Sequence, residues 1–141
     1  MKNKITIIGC GNIGNAIAQG LVKSKKYVAE NIILTRRSAK HLHEFQEQGF
    51  TVSTDNCTAV TRSEIVILAI TPSQIVNVLK EIHSSLSNKQ LLISVVSGVS
   101  INEMNQHLNS KMGIVRAMPN TAATLCESIT CLATENENDS K

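Results

Sequence analysis

Directly after the aliphatic run Ile5-Thr6-Ile7-Ile8 the chain reads Gly9-Cys10-Gly11-Asn12-Ile13-Gly14, and the residues that follow, to Leu21, place Ile13, Ile17 and Leu21 at helical spacing. Few folds accept a strand that passes through glycines at this spacing straight into a helix. The first glycine permits the tight turn, the second lets the backbone approach a pyrophosphate, and the third lets the helix pack against its strand. A diphosphate then meets the unpaired N–H groups and positive dipole end of that helix. A glycine triplet also occurs in ordinary turns. The flanking strand and helix favour the cofactor cradle, made by Gly9, Gly11, Asn12, Ile13 and Gly14.

Further aliphatic runs alternate with helical patterns along the chain. Ile32-Ile33-Leu34 reads as a second strand, Ser38 as the cap of a helix that turns Leu42 and Phe45 inward, and Phe50-Thr51-Val52 as a short third strand before a capped turn from Asp55. Ile65 to Ile70 and Leu91 to Val96 are continuous apolar runs of strand length, as in parallel strands buried on both faces. Between them Thr71-Pro72 opens a helix whose inner face is Ile75, Val78, Leu79 and Ile82. Ser100-Ile101-Asn102-Glu103 spells a capping box for a helix to about Leu108, and Ile114–Ala117 and Ile129–Leu132 complete the strands. The expected fold is a Rossmann-like α/β single domain: a doubly wound, mostly parallel sheet in three layers, α/β/α.

With 141 residues, 42% of them apolar and 18% charged, the chain suits one ordinary globular domain rather than a disordered segment. Its only aromatics are Tyr27, Phe45 and Phe50, and its net charge of +3 is dispersed apart from Lys25-Lys26 and Arg36-Arg37, which argues against nucleic acid as a partner. The N-terminus is neither a signal peptide nor a membrane span, so a cytoplasmic location without membrane contact is the default. Cys10, Cys57, Cys126 and Cys131 lack metal-ligand spacing and read as reduced, mostly buried small hydrophobes, with no metal expected.

Where an NAD site carries an acidic residue at the end of the second strand, this chain has Thr35-Arg36-Arg37-Ser38. Two guanidinium groups and two hydroxyls suit a 2′-phosphate, each charge-assisted bond being worth roughly 1.5–3 kcal/mol. The competing reading makes Arg36 and Arg37 solvated surface charges and Ser38 only a cap. Asn56 is open between the adenosine side of such a ligand and a plain first-turn position.

Gly9 to Leu21, Ser94-Val95-Val96-Ser97-Gly98-Val99-Ser100 and above all Val115-Arg116-Ala117-Met118-Pro119-Asn120-Thr121 resemble pyrroline-5-carboxylate reductase, over essentially the whole chain but only over that family's N-terminal cofactor domain. The resemblance implies NADPH-dependent reduction of 1-pyrroline-5-carboxylate to L-proline, in proline biosynthesis, with a small imino acid as substrate. It implies that Thr35, Arg37 and also Arg36 and Ser38 hold the 2′-phosphate and that Asn56 lies on the ribose side. Ala69, Ile70, Thr71 and Pro72 would pass along the middle of the cofactor, and Ser97, Gly98, Met118, Pro119, Asn120 and Thr121 would surround the nicotinamide. Residues 1–134 would be the NADP-binding domain, and 135–141 a polar tail or the start of a linker to a helical dimerisation domain absent here. The expectation is a chain that binds NADPH but turns over weakly by itself, and a homo-oligomer for a full-length protein. Thr71, Ser97 and Ala122 stand where the family usually has lysine, alanine and proline, and Cys126 and Ser128 fall in a segment that usually carries glycines. These departures bear on the substrate rather than on the cradle.

No side chain is assigned a catalytic role. Hydride transfer to an iminium needs little acid catalysis, because the protonated nitrogen already activates the carbon, and the task left is near-attack geometry. His41, His43, His83 and His107 read as surface or boundary residues, and Arg116 is open between a carboxylate and a structural partner. The alternatives are another NADP-dependent imine or hydroxy-acid oxidoreductase, the deazaflavin-dependent group included, and a non-catalytic NADP-binding module. Met118-Pro119-Asn120-Thr121 speaks against the first.

Overall fold

Ile5–Ile8 carries one polar side chain, Thr6, whose buried hydroxyl donates to the Ala59 carbonyl at 2.9 Å, and its isoleucines leave it stable only between two layers. In the computed structural model, which describes residues 3–108, 112–119 and 128–134, it forms β1 at the middle of a sheet. The other strands are β2 (Ile32–Thr35), β3 (Thr51–Ser53), β4 (Ile65–Leu68), β5 (Leu91–Ser94), β6 (Gly113–Met118) and β7 (Cys131–Thr134). Their order is β3-β2-β1-β4-β5-β6-β7, parallel throughout except for the antiparallel β7 at one edge. The chain winds outward from β1 to β3, then crosses back to β4 and winds the other way. Helices α1 (Asn12–Lys23), α2 (His43–Glu47), α3 (Asn56–Thr61), α4 (Ile75–Ile82) and α5 (Ile101–Asn105) fill the crossovers.

Alternation along the strands divides the apolar interior in two. Ile5, Ile7, Ile32, Leu34 and Ile67 pack with Ala18 of α1 and Phe45 of α2, while Ile8, Val66, Leu68, Leu92 and Ile114 pack with Val60 of α3, Val78, Leu79 and Ile82 of α4 and Met104 of α5. This is the expected three-layer α/β/α arrangement. Helix α4 is anchored firmly, since Leu79 and Ile82 are completely buried.

Several boundaries differ from the sequence expectation. Ser38 does not begin the second helix: a tight turn over Ala39–His41 comes first, burying Leu42 against the core, and α2 starts at His43 without a side-chain cap. β4 and β5 stop two residues early, because Ala69 and Val95 form one last backbone bond each, to Ile8 and Leu68, and the chain then turns away over the sheet edge. α5 closes at Asn105 rather than near Leu108. β7 begins at Cys131, two residues later than expected, and lies outside the core with Leu132 69% exposed and Cys131 exposed as well. Among the described residues no helix is long and apolar enough to cross a membrane. Residues 135–141, read above as a tail or linker, lie outside the described residues.

Candidate functional site

The parallel register lines up the ends of five strands with Arg116, two residues before the end of β6. Ser53, Thr35, Ile8, Leu68, Ser94 and Arg116 pair in one row across the sheet, so the segments that leave β3, β2, β1, β4, β5 and β6 emerge side by side along one edge. Along that edge runs a cleft of about 630 Å³. Its walls include the glycine turn after β1, residues 35–38 after β2, Asn56 at the start of α3, residues 69–72 after β4, and Val95 and Ser97 after β5. The cleft therefore sits where the winding reverses, at the β1–β4 switch point, the usual ligand crevice of open α/β sheets.

The glycine turn is built by close contacts. Gly9 has φ +97°, a conformation that favours glycine, and donates its N–H to the Thr35 carbonyl at 3.2 Å. A Cβ on Gly14 would stand 2.0 Å from the Gly9 carbonyl oxygen, so no other residue lets α1 pack this near the turn. Around Gly11, in contrast, nothing stands within 4 Å of where a Cβ would be. Gly11 is also the cap residue of α1 and has no side chain to satisfy the first-turn N–H groups, nor is there an acidic residue in that turn. An anion is the natural complement of this helix end. Cys10 is buried under the turn, and its thiol donates weakly to the Thr35 carbonyl at 3.5 Å. Burial pushes the thiol pKa up to about 12, only partly offset by the Arg36 charge, so it is a neutral packing group at physiological pH.

At the other end of the cleft Arg36, Arg37 and Ser38 are exposed on its wall. Thr35 stands at the end of β2 beside them. It is completely buried, and its hydroxyl donates to Asn56 Oδ1 at 2.6 Å. A hydroxyl has one proton, and here it is directed at Asn56, while Thr35 still lines the cleft. The Asn56 amide nitrogen in turn donates to the two carboxylate oxygens of Glu81, at 3.2 and 3.1 Å.

Beyond β4, Thr71 sits exposed on the wall, its N–H donating to Gln74 Oε1 at 3.4 Å and its hydroxyl 3.1 Å from that of Ser73. Of the residues read as site residues from sequence, Gly14 lies behind the turn, and Gly98 follows Ser97 without lining the cleft. Met118, 38% exposed, and the half-buried Pro119 stand at the end of β6, beside the β5 segment but outside the cleft wall. Asn120 and Thr121 lie outside the described residues, as do Ala122 and Cys126. Arg116 reaches the Met118 sulfur at 3.6 Å, and its charge adds to the hydrogen bonds from Ser100 that hold the Glu103 carboxyl below its usual range.

Five wall residues escaped the sequence reading: Ile8, Cys10, Gln74, Val78 and Val95. The spacing Thr71-Pro72-Ser73-Gln74 could have flagged Gln74, since Thr-x-x-Gln is a capping-box pattern. The others are apolar, and nothing in composition separates them from core.

Three comparisons bear on what this cleft is for. A family model described as "NADP oxidoreductase coenzyme F420-dependent" matches residues 4–98, which include the glycine turn and both walls. The chain is 45% identical over 131 residues to pyrroline-5-carboxylate reductase 1 of Dictyostelium discoideum, an alignment covering 93% of this chain and 24% of that protein. Among solved structures it is similar to a pyrroline-5-carboxylate reductase from Coxiella burnetii, with a TM-score of 0.89, 34% identity, and coverage of 97% of this chain and 51% of that one. It is also similar to the Plasmodium falciparum pyrroline carboxylate reductase with NADP bound, with a TM-score of 0.85, 26% identity, and coverage of 99% and 52%. The chain spans between about a quarter and a half of the length of the curated relatives it matches.

Proposed function

The chain belongs to the NADP oxidoreductase family whose model it matches over residues 4–98 and is similar across its length to pyrroline-5-carboxylate reductases, and from that we propose that its cleft holds NADPH for the reduction of 1-pyrroline-5-carboxylate to L-proline. The single observation that carries the proposal is the row of strand ends: one cleft joins an uncapped helix N-terminus at Gly11 to two exposed arginines at Arg36 and Arg37. Those are complements for the two anionic parts of the coenzyme, its diphosphate and its 2′-phosphate.

NADPH supplies a hydride at its nicotinamide ring. The residues of this chain bind and orient. N–H groups of the glycine turn hold the diphosphate, with Gly11 leaving space for its approach and Gly9 and Gly14 fixing the turn's shape. Arg36, Arg37 and Ser38 engage the 2′-phosphate, and Asn56 the ribose side. Ala69, Ile70, Thr71 and Pro72 line the middle, while Ser97, Gly98 and the residues from Met118 through Pro119 and Asn120 to Thr121 belong to the nicotinamide end. With no acid assigned there, the rate comes from holding donor and acceptor carbons together with the iminium already protonated. Residues 1–134 act as the cofactor domain, and the imino-acid pocket and the contacts of a homo-oligomer fall to the remainder of a protein of the relatives' length. A cytoplasmic setting and the place in proline biosynthesis belong to the same proposal. The family model's description also names coenzyme F420, so the assay includes that deazaflavin as an alternative partner.

The test is titration of NADPH, NADH and reduced F420 against the wild-type chain and Arg37→Ala. NADPH is expected to bind most tightly, and Arg37→Ala to weaken it about tenfold or more with little change for NADH. Equal weakening of both nucleotides would overturn the 2′-phosphate assignment, and no binding of any nicotinamide coenzyme would overturn the whole reading.

A further inference from the structure

The amide of Asn56 is specified from behind by two partners of opposite character. Thr35 Oγ1 donates to Oδ1 at 2.6 Å, and Nδ2 lies 3.2 and 3.1 Å from Glu81 Oε1 and Oε2. A carboxylate only accepts, so it demands the nitrogen end of the amide, and the hydroxyl proton demands the oxygen end. Turning the amide over would set Oδ1 against the Glu81 carboxylate. Glu81 thus faces the nitrogen end and Thr35 the oxygen end of an amide that lines the cleft, so its left-and-right order there is fixed.

The elements behind this arrangement are anchored in the core. Glu81 is exposed, but it rides on α4, whose opposite side buries Leu79 and Ile82 completely. The Cys57 thiol donates to the Glu81 backbone carbonyl at 3.2 Å, tying α4 to the first turn of α3 at this point. Thr35 is fully buried at the end of β2. Glu81 does not line the cleft, and nothing in its sequence context marks it.

We propose that Glu81 is a positioning residue for the coenzyme: it holds the Asn56 amide in one fixed orientation toward the adenosine ribose and its 2′-phosphate. The inference rests on the NADPH assignment above. Its physical basis is preorganisation, because an amide already locked loses no rotational freedom when the ligand arrives.

The experiment is a double-mutant cycle on NADPH affinity with wild type, Glu81→Ala, Asn56→Ala and the double variant, together with Glu81→Gln and with Glu81→Ser as a second truncation. Glu81→Ala, Glu81→Ser and Asn56→Ala are each expected to weaken NADPH about fivefold to tenfold, and the double variant no more than Asn56→Ala alone. Glu81→Gln should stay within about twofold of wild type, because its side-chain oxygen still accepts from Nδ2. In the free protein the side-chain amide resonances of Asn56 should move in Glu81→Ala and Glu81→Ser and stay in place in Glu81→Gln. Wild-type affinity in both truncations, or losses that simply add, would overturn the positioning role while leaving the coenzyme assignment standing. Failure of wild type to bind NADPH would overturn both, and the resonances of the free protein would then show separately whether Glu81 holds the amide.

Discussion

At Gly14 the structure has no room for one carbon. A Cβ would lie 2.0 Å from the Gly9 carbonyl oxygen, which is backbone and cannot rotate aside, so Gly14→Ala must open the turn. We expect a loss on the order of 3 kcal/mol, a lower melting temperature and weakened NADPH binding together. Gly11→Ala makes the informative contrast. Its new carbon meets no protein atom within 4 Å, so stability should fall by no more than about 1 kcal/mol while the methyl group obstructs the diphosphate. Melting curves and NADPH titration of the two variants separate packing from ligand contact. Equal effects on both readouts in both variants would contradict the division of labour between these glycines. Single residues are also where sequence reading was strongest and where it failed most instructively. The glycine spacing is a backbone constraint and survives in one dimension, whereas the burial of Thr35 and the reach of Glu81 toward Asn56 depend on which strands and helices become neighbours.

Helix ends define the next scale. The C-terminal carbonyls of α3 are satisfied from a distant loop: Gln90 is buried, and its amide nitrogen donates to the carbonyls of Val60 at 2.8 Å and Ser63 at 2.5 Å while its oxygen accepts from the Ser87 N–H at 2.7 Å. The Val60 carbonyl keeps the Ser63 N–H at 3.1 Å and Ser87 is exposed, so Gln90→Ala deprives mainly the buried Ser63 carbonyl of its partner, and a loss of about 1–2 kcal/mol by chemical denaturation is expected. A change below about 0.5 kcal/mol would mean that water replaces the side chain. The N-termini of α3 and α5 give a pH dependence. Thr58 side-chain and backbone donors hold the Asp55 carboxyl below its usual range, and the Ser100 backbone and hydroxyl do the same for Glu103. A carboxylate whose folded pKa is lowered contributes stability above its unfolded pKa and loses it as pH falls through the folded one. Melting temperature should therefore drop on acidification from about pH 5 downward, less steeply in Asp55→Asn with Glu103→Gln than in wild type. Identical slopes would remove these caps from the acid response. The Ser100-x-x-Glu103 box was legible in the sequence because both partners lie within one turn. The Gln90 cap was not, since it spans 27 and 30 residues. By the same logic the buried strands β1, β2, β4 and β5 were readable from their apolar runs. The start of α2 and the later start and antiparallel direction of β7 were not, because burying Leu42 decides the one and edge pairing decides the other.

Across the whole molecule, the row from Ser53 through Thr35, Ile8, Leu68 and Ser94 to Arg116 makes the cleft a property of the entire sheet. Segments from β1, β2, β4 and β5 and the start of α3 form its walls, drawing on both apolar cores. A ligand seated there touches both halves of the doubly wound sheet, so unfolding either half must release it. NADPH should then raise the stability of the folded state as one cooperative unit, by about 2.7 kcal/mol at a free concentration of 100 times Kd. For a chain of this size that corresponds to a rise in Tm on the order of 10 °C. NADH at the same concentration lacks the 2′-phosphate, and a tenfold weaker affinity removes about 1.4 kcal/mol, or close to half of that rise. The whole-molecule character is checked by amide hydrogen exchange: protection should increase in β2 and in β5 alike, though they lie on opposite sides of the switch point. Protection confined to β1 and α1 would mean that the glycine turn alone binds, and that Arg36 and Arg37 stand idle at the far end of the cleft.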